Sequence, residues 1–457
     1  MAATSAGTID ITAVVDRNSI GSFQRLTLAL CGLVLIIDGF DVQAIGYVAP
    51  AIVAEWNVGK SALSVLFTVS VAGAIVGSLL LGILADRWGR RPVLIGSTLF
   101  FGLGMLSTAW ARSFEELQWI RLITNIGLGG IMANAMALAG EYSPARWRVT
   151  LMMLISCGYT FGAAIGGLVA AVLIPTFGWR SVFVFGGIAP LVIAAAMLVW
   201  LPESMQLIIA RGWNTGRIAG WLKRIDPTIE AGPATRYHRP EATAKGTLAD
   251  LFRDGRAPMT LILFAICFMN LLDLTFLSNW VPTVLRGMDF SQTNAVLAGT
   301  TLQIGGTIGT VVMGILIDRF GFARVLVPCF IAAAIGIVLL GNPLGSIAIV
   351  FVAAFVAGFG IIGGQPAVNA FAGTRYPTTL RATVIGWSLG FGRLGALFGL
   401  MGSGALMAQQ WPVGLIFILV AIPALISAIL TAVIVGLKWV PEGTAAPDLP
   451  ATVPAQS

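Results

Sequence analysis

GILADRWGRR, residues 82 to 91, opens with a motif that returns 232 positions later, GILADRWG at 82 to 89 falling on GILIDRFG at 314 to 321. The same shift lays Asp41 on Asp273 and Pro50 on Pro282. A shift of 233 lays Pro144, Arg148, Gly162 and Gly166 on Pro377, Arg381, Gly395 and Gly399, so the match continues through the later part of each copy. The chain is a tandem duplication.

Composition sets the environment in which the duplication folds. Of the 457 residues, 57% are hydrophobic and 10% charged, with a mean hydropathy of +0.91, values that exclude a soluble domain. Apolar runs at 25–53, 61–84, 92–110, 117–139, 148–173, 179–201, 258–285, 293–317, 323–341, 344–371, 381–407 and 412–437 are mostly near the length that a bilayer-crossing helix needs. The expectation is an all-α integral membrane protein, twelve transmembrane helices in two pseudo-symmetric six-helix bundles. Parallel repeats of this kind place a substrate site at their interface near mid-membrane, which points to transport.

The first run, holding Asp38 and Asp41, is too long and too acidic for a cleaved signal peptide, and residues 1–22 lack a basic start. It is expected to stay as the first span. Cys31, Cys157, Cys267 and Cys329 each lie in a different apolar run, with no paired spacing, and read as packing residues rather than a disulfide framework or zinc site.

The basic residues predict orientation. With both termini cytoplasmic, the inner segments hold Arg87, Arg90, Arg91, Arg146, Arg148, Arg319, Arg324, Arg375, Arg381 and the nine Lys/Arg of 202–257. The net charge of +7 is thus topological, and no nucleic-acid partner is expected. The predicted division is a cytoplasmic segment 1–22, a first bundle 23–201, a polar cytoplasmic loop 202–257 punctuated by Pro202, Pro227, Pro233 and Pro240, a second bundle 258–440 and a cytoplasmic tail 441–457.

The loop after the second span, G-x-x-x-D-R-x-G-R-R from Gly82 to Arg91, is the signature of the major facilitator superfamily, and its echo at Gly314 to Arg324 resembles that family's second half. Here the glycines are expected to make a tight turn, Asp86 to accept bonds from neighbouring helix ends, and the arginines to hold the cytoplasmic side against Glu141 or lipid phosphate. Asp86, Arg87, Arg90, Arg91, Glu141, Arg146, Asp318 and Arg319 form the expected gating set.

Within that superfamily the chain resembles the aromatic acid/proton symporters over nearly its whole length. DGFDVQAIGYVAPAI (38–52), RLITNIGLGGIMANAMALAGEYSPARWR (121–148), GWRSVFVFGGIAPL with LPES (178–204) and GGQPAVNAFAGTRYPTTLRATVIGWSLGFGRLGALFG (363–399) carry the likeness. The resemblance implies import of benzoate-like anions with protons across a bacterial inner membrane, with transport roles for Asp38, Asp41, Arg121 and Arg393. The expected partners are one aromatic carboxylate and the lipid bilayer, for a monomer that uses protons as coupling ion and neither cofactor nor metal.

The chemistry of those residues fits. Asp38 and Asp41 are three apart on a helix and share a face, and an acid at mid-bilayer costs about 2.5–3.5 kcal/mol unless it meets a cavity or a partner. Desolvation and a like charge favour the protonated form while a nearby arginine favours the ionised one, so an acid between these influences can load and release a proton. Arg393, among Gly390, Gly392, Gly395 and Gly399, calls for a bidentate carboxylate: the substrate's, or that of Asp273 or Asp41. Arg121 is expected to tune the first-span acids. Tyr47, Tyr159, Trp280 and Trp387 are candidate flat walls for a ring, and Asn134, Gln303, Gln365 and Asn369 candidate hydrogen-bonding groups. Gly363-Gly364-Gln365-Pro366 predicts a local bend in the tenth span.

Three departures qualify the resemblance. Asn125 stands where the fourth-span motif usually has Gly, either narrowing the cavity or adding a substrate bond. Ala163 replaces the proline of the antiporter motif in the fifth span, favouring uniport or symport over drug/proton exchange. Asp273, where a neutral residue is the family's habit, is expected to face the cavity and is a candidate second proton site. The alternatives are a major facilitator of another organic anion or a sugar, or a drug or metabolite exporter. An enzyme is not expected, since the only histidine, His238, stands in the loop without a catalytic neighbourhood, and the short Pro/Ala-rich tail does not suit a sensor.

Overall fold

After a short helix α1 (Ile11–Arg17), the first bundle runs α2 (Ser22–Trp56), α3 (Lys60–Trp88), α4 (Arg90–Ala109), α5 (Phe114–Leu128) with α6 (Ile131–Tyr142), α7 (Ala145–Phe177) and α8 (Arg180–Trp200). Two shorter helices, α9 (Met205–Arg211) and α10 (Gly216–Ile225), lead to the second bundle: α11 (Ala257–Gly287), α12 (Gln292–Phe320), α13 (Phe322–Gly341), α14 (Ile347–Arg375), α15 (Thr378–Ala408) and α16 (Val413–Gly436). With α5 and α6 counted as one, twelve helices among the described residues are long and apolar enough to cross a membrane. This computed structural model describes residues 8–229, 235–237, 247–343, 345–376, 378–409 and 411–436. His238, the tail 441–457 and the side chain of Asp318 lie outside the described residues.

Close helix contact explains why the glycines repeat. In lipid, helices associate through packing rather than through burial from water, so small residues sit where backbones meet. A Cβ on Gly162 would stand 1.8 Å from the Ile36 carbonyl, and one on Gly39 1.8 Å from that of Tyr159, which welds α2 to α7. The second copy repeats the device between α11 and α15, where a Cβ on Gly395 would stand 2.1 Å from the Phe268 carbonyl and one on Gly399 2.8 Å from that of Leu272.

The signature loops differ in detail from the expected turn. Helix α3 continues to Trp88, so Asp86 and Arg87 lie in its last turn, and Gly82 and Gly314 stand inside helices with open space beside them. The turn belongs to Gly89 and its mate Gly321, with φ of +110° and +82°, conformations that side-chain-bearing residues avoid. The tenth span is a single continuous helix across Gly363–Pro366.

The inter-bundle segment is more than a polar connector. Helix α10 buries Ile218, Leu222 and Ile225, and strand Arg236–Tyr237 pairs in parallel with Thr8–Ile9. Asp226 closes this assembly, accepting from Arg17 Nη2 at 2.7 Å, from Asn18 Nδ2 at 3.1 Å and from Thr228.

The two bundles meet mainly towards the end away from the basic loops. Gln43 Nε2 donates to the Ser278 carbonyl, and Gln303 Nε2 donates to Gln43 Oε1 at 2.9 Å and to Ser278 Oγ at 3.2 Å. Phe67 stands edge-on to Trp280 at 5.5 Å, and Gly404 abuts Ser64. Gln43 lies about 32 Å along α2 from its basic end, at 1.5 Å per residue. Closer to mid-depth, Arg393 Nη1 donates to Ser78 Oγ at 2.6 Å.

The clasp at Asp226 gives a pH prediction. Its three donors, Thr228 foremost, hold the carboxyl below the usual carboxylate range. Because the folded value is depressed, the contribution is complete above the ordinary 3.8 and fades as pH falls from there toward the depressed value. Hydrogen exchange of residues 11–17 should therefore be flat between pH 7 and pH 5 after correction for intrinsic rates. Asp226→Asn should raise it at neutral pH, and equal protection in the variant would show that the clasp does not hold α1.

Candidate functional site

Asp41 on α2 and Arg121 on α5 form a bidentate ion pair, Nη1 to Oδ1 at 2.6 Å and Nη2 to Oδ2 at 2.9 Å, with side chains 0% and 1% exposed. The helix pairing places it. Gly39 lets α7 come onto α2, which leaves the Asp38–Asp41 face turned into the bundle. Arg121 is flanked by the Met105 sulfur at 3.5 Å and by the Phe183 ring at 5.8 Å. Its Nε is buried without a partner, so its whole charge-matching rests on Asp41.

Asp38, one turn away, is 5% exposed and makes no hydrogen bond among the described residues. The half-buried Tyr159 lies near both acids, through the α7 backbone that abuts Gly39. The helix thus holds two carboxyl groups in different states of engagement: one is locked to a guanidinium, and the other makes no hydrogen bond among the described residues.

The second copy departs from the first at two of these three places. The shift of 232 that pairs Asp41 with Asp273 also pairs Asp38 with Asn270 and Arg121 with Ala353. Asn270 Nδ2 donates to the Ile361 carbonyl at 3.2 Å, while Asp273 is 0% exposed with neither oxygen hydrogen-bonded. Among the described residues no cation answers Asp273 as Arg121 answers Asp41, and its complete burial corrects the expectation that it faces an open cavity.

Arg393 is exposed, and its one hydrogen bond among the described residues goes to the neutral Ser78. No described carboxylate pairs with it, so neither Asp41 nor Asp273 is its partner here. Gln365 Nε2 reaches Asn369 Oδ1 at 3.4 Å, with Gln365 Oε1 unpartnered, and Trp387 is 44% exposed. These three share α14 and α15 with Arg393. Tyr47 and Trp280 are fully buried, Tyr47 donating to the Ala163 carbonyl at 3.0 Å, and Gln303 is committed to the contact between bundles. They therefore close one end rather than offer open walls. Asn125 and Asn134 each donate back to the carbonyl four residues earlier, Arg121 and Gly130, at 2.8 Å. That bond is local to the helix.

On the basic face, Arg90 pairs with Glu141, which also accepts from Ser204 Oγ at 2.6 Å. Arg91 Nη2 donates to the Leu198 carbonyl at 2.6 Å, and Arg146 to that of Asn18 at 3.2 Å. Asp86, Arg87 and Arg319 are exposed; Asp86 accepts no bond among the described residues, contrary to expectation. Sequence reasoning missed Glu203, whose Oε1 accepts from the backbone N–H of Arg90, Arg91 and Ser204 at 2.9, 3.1 and 2.8 Å. The LPES stretch held that signal, an acid after a helix end, but not its destination. Gln43 and Ser78, which bridge the bundles, carry no local signal.

A model described as Major Facilitator Superfamily matches residues 31–306 and 263–455. The chain is 35% identical to the 4-hydroxybenzoate transporter PcaK of Acinetobacter baylyi, over 93% of this chain and 94% of that one. It is likewise 35% identical to a gallate transporter of Pseudomonas putida, over 92% and 94%. Among solved structures it is similar to a D-xylose–proton symporter, with a TM-score of 0.69, 18% identity and coverage of 92% and 99%. That likeness concerns the fold.

The buried pair makes a stability prediction. Arg121→Met strands a carboxyl and Asp41→Leu strands a guanidinium, each costing about 3–5 kcal/mol, whereas an apolar pair of similar volume is close to neutral. Thermal unfolding in detergent should show both single variants well below the parent and the double variant recovering most of the loss. Additive losses would mean that the two residues are not a unit.

Proposed function

The chain belongs to the major facilitator superfamily, and from that premise we propose that it imports aromatic carboxylates of the hydroxybenzoate class together with protons, by alternating access between its two bundles. It is a transporter, not an enzyme. The observation that carries the reading is Arg393, a guanidinium near mid-depth whose partner is a neutral hydroxyl. A monoanionic carboxylate matches the planar fork of arginine in geometry and charge better than Ser78 does. The relatives bearing the names of 4-hydroxybenzoate and gallate transporters support the ring and its hydroxyls. Gln365 and Asn369 on α14, and Trp387 on α15 with Arg393, supply amides and an indole face for them.

Coupling falls to Asp38. Asp41 is held by Arg121, whereas Asp38 has no hydrogen-bond partner among the described residues to fix its charge, so in this reading it is the acid whose proton is exchanged during the cycle. Arg121 and Asp41 tune it. Asp273 is the second proton site in this reading, a group that cycles only when the second bundle rearranges. The cycle itself rocks 23–201 against 258–440, and the closing contact is Gln43 with Ser278 and Gln303. Asp86 and Asp318, with the arginines around them, set how readily the basic face opens. In this reading the protein is a monomer of the bacterial inner membrane, with 1–22, 202–257 and 441–457 in the cytoplasm.

Charge recognition is checked by competition against uptake of labelled 4-hydroxybenzoate. A methyl ester or primary amide loses the charge-assisted bonds, worth about 1.5–3 kcal/mol, and should compete roughly 10- to 100-fold less well than the acid. Arg393→Lys should lose most transport despite keeping its charge. Equal competition by benzamide and benzoate would overturn the carboxylate reading.

Coupling is checked in liposomes. One proton per monoanion is electroneutral and is driven by the pH gradient alone, about 1.4 kcal/mol or tenfold accumulation per unit. Asp38→Asn should abolish uphill accumulation and leave downhill movement indifferent to pH; accumulation in response to an imposed gradient would show that Asp38 is not the carrier. A second proton adds about 2.3 kcal/mol per 100 mV and makes uptake respond to valinomycin in potassium medium. Asp273→Asn should remove that response.

A further inference from the structure

On the basic-loop face of the first bundle, a cavity of about 760 Å³ opens between α3, α4 and α8 and the linker helices α9 and α10. Three tryptophans, Trp88, Trp213 and Trp221, and two arginines, Arg91 and Arg217, are among the residues that line it. The sequence builds this wall directly. Helix α10 buries Ile218, Leu222 and Ile225 against the bundle, which leaves Arg217 and Trp221 at the cavity.

The two cations are only partly satisfied. Arg91 uses Nη2 on the Leu198 carbonyl, one of those that the end of α8 leaves free, while its Nε is buried without a partner. Arg217 is exposed and makes no hydrogen bond among the described residues. The acid of the lining, Glu203, has one oxygen already shared among three backbone N–H groups. The cavity therefore presents two guanidinium groups against one engaged carboxylate, an excess of one positive charge.

Below the cations the wall turns apolar. Ile95, Gly96 and Leu99 continue along α4 into the membrane-crossing part of the helix, and nothing stands within 4 Å of a Cβ placed on Gly96. Indoles favour the depth of lipid headgroups, and arginine is the side chain suited to a phosphate. We propose that this cavity binds one anionic glycerophospholipid of the leaflet on the basic-loop side. Its phosphodiester lies on Arg91 and Arg217, its glycerol among the indoles and an acyl chain along Gly96 and Leu99. The lipid then ties the linker helix α10 to α4 of the first bundle. A soluble phosphate would engage only the guanidinium groups and leave the apolar channel unused, so the channel is the argument for a lipid.

The test is native mass spectrometry of the full chain purified in mild detergent and titrated with phosphatidylglycerol or phosphatidylcholine of identical acyl chains. One phosphatidylglycerol should be retained per chain with at least roughly tenfold preference over phosphatidylcholine. Arg217→Gln, at an exposed position that the fold does not use, should reduce that preference to near unity, and Trp213→Ala should weaken retention of phosphatidylglycerol. Arg112→Gln, in the loop at the opposite end of α4, should leave the preference intact. Equal retention of the two lipids by the parent, or an Arg217→Gln variant that keeps the preference, overturns the proposal. So does displacement of phosphatidylglycerol by millimolar inorganic phosphate, which would mark a free-anion site. None of these readouts depends on transport.

Discussion

A guanidinium inside a helix bundle must bring its own counter-charge, and the bond between Arg121 and Asp41 is where this protein meets that requirement. Both side chains are taken out of solvent, and neither is tolerable there alone. The pair therefore fixes α5 against α2 and fixes which of the two first-span acids is engaged. Asp38, one turn away, carries no such bond among the described residues, whereas neutralising Asp41 would release Arg121 as well.

The repeats share a scaffold and divide the chemistry. Glycines at helix crossings recur because two backbones within van der Waals contact leave no room for a Cβ, and both bundles need that contact. The charged positions are not under that constraint. Ala353 stands at the place of Arg121 and Asn270 at that of Asp38, so the second bundle keeps the buried Asp273 with no cation bonded to it among the described residues. Its arginine, Arg393, stands instead on α15, turned toward α3 of the other bundle. The first bundle thus holds a paired and an unbonded acid on one helix, and the second has a cation facing the interface where a duplicated transporter places its substrate.

On the basic face, one carboxylate organises a backbone. Glu203 accepts the first N–H groups of α4, which have no helical partner of their own, and so joins the end of α8 to the start of α4. Arg91 completes the junction from the other side by donating to a late carbonyl of α8. Asp86, in the last turn of α3, takes no part in this network among the described residues, which leaves it available to whatever approaches when that face closes.

Much was legible in the sequence because it follows from chemistry that is local or repeated. Twelve apolar runs, the 232-residue duplication, the Gly89 turn and the need of Asp38, Asp41, Arg121 and Arg393 for partners can all be read from residue types and spacing. Glu141 was one of two partners expected for the arginines of the signature loop, lipid phosphate being the other, and the structure gives it to Arg90. The specific partner within a distant segment was not legible, because helical periodicity gives a residue its face but not the neighbour that face meets. Only the tertiary structure assigned Asp41 to Arg121, left Arg393 on a hydroxyl, buried Tyr47 and Trp280 in the closing contact and sealed Asp273 inside its bundle. It also folded α9 and α10 of the polar linker onto the first bundle, since their amphipathic faces find cover only once six membrane helices have assembled beside them.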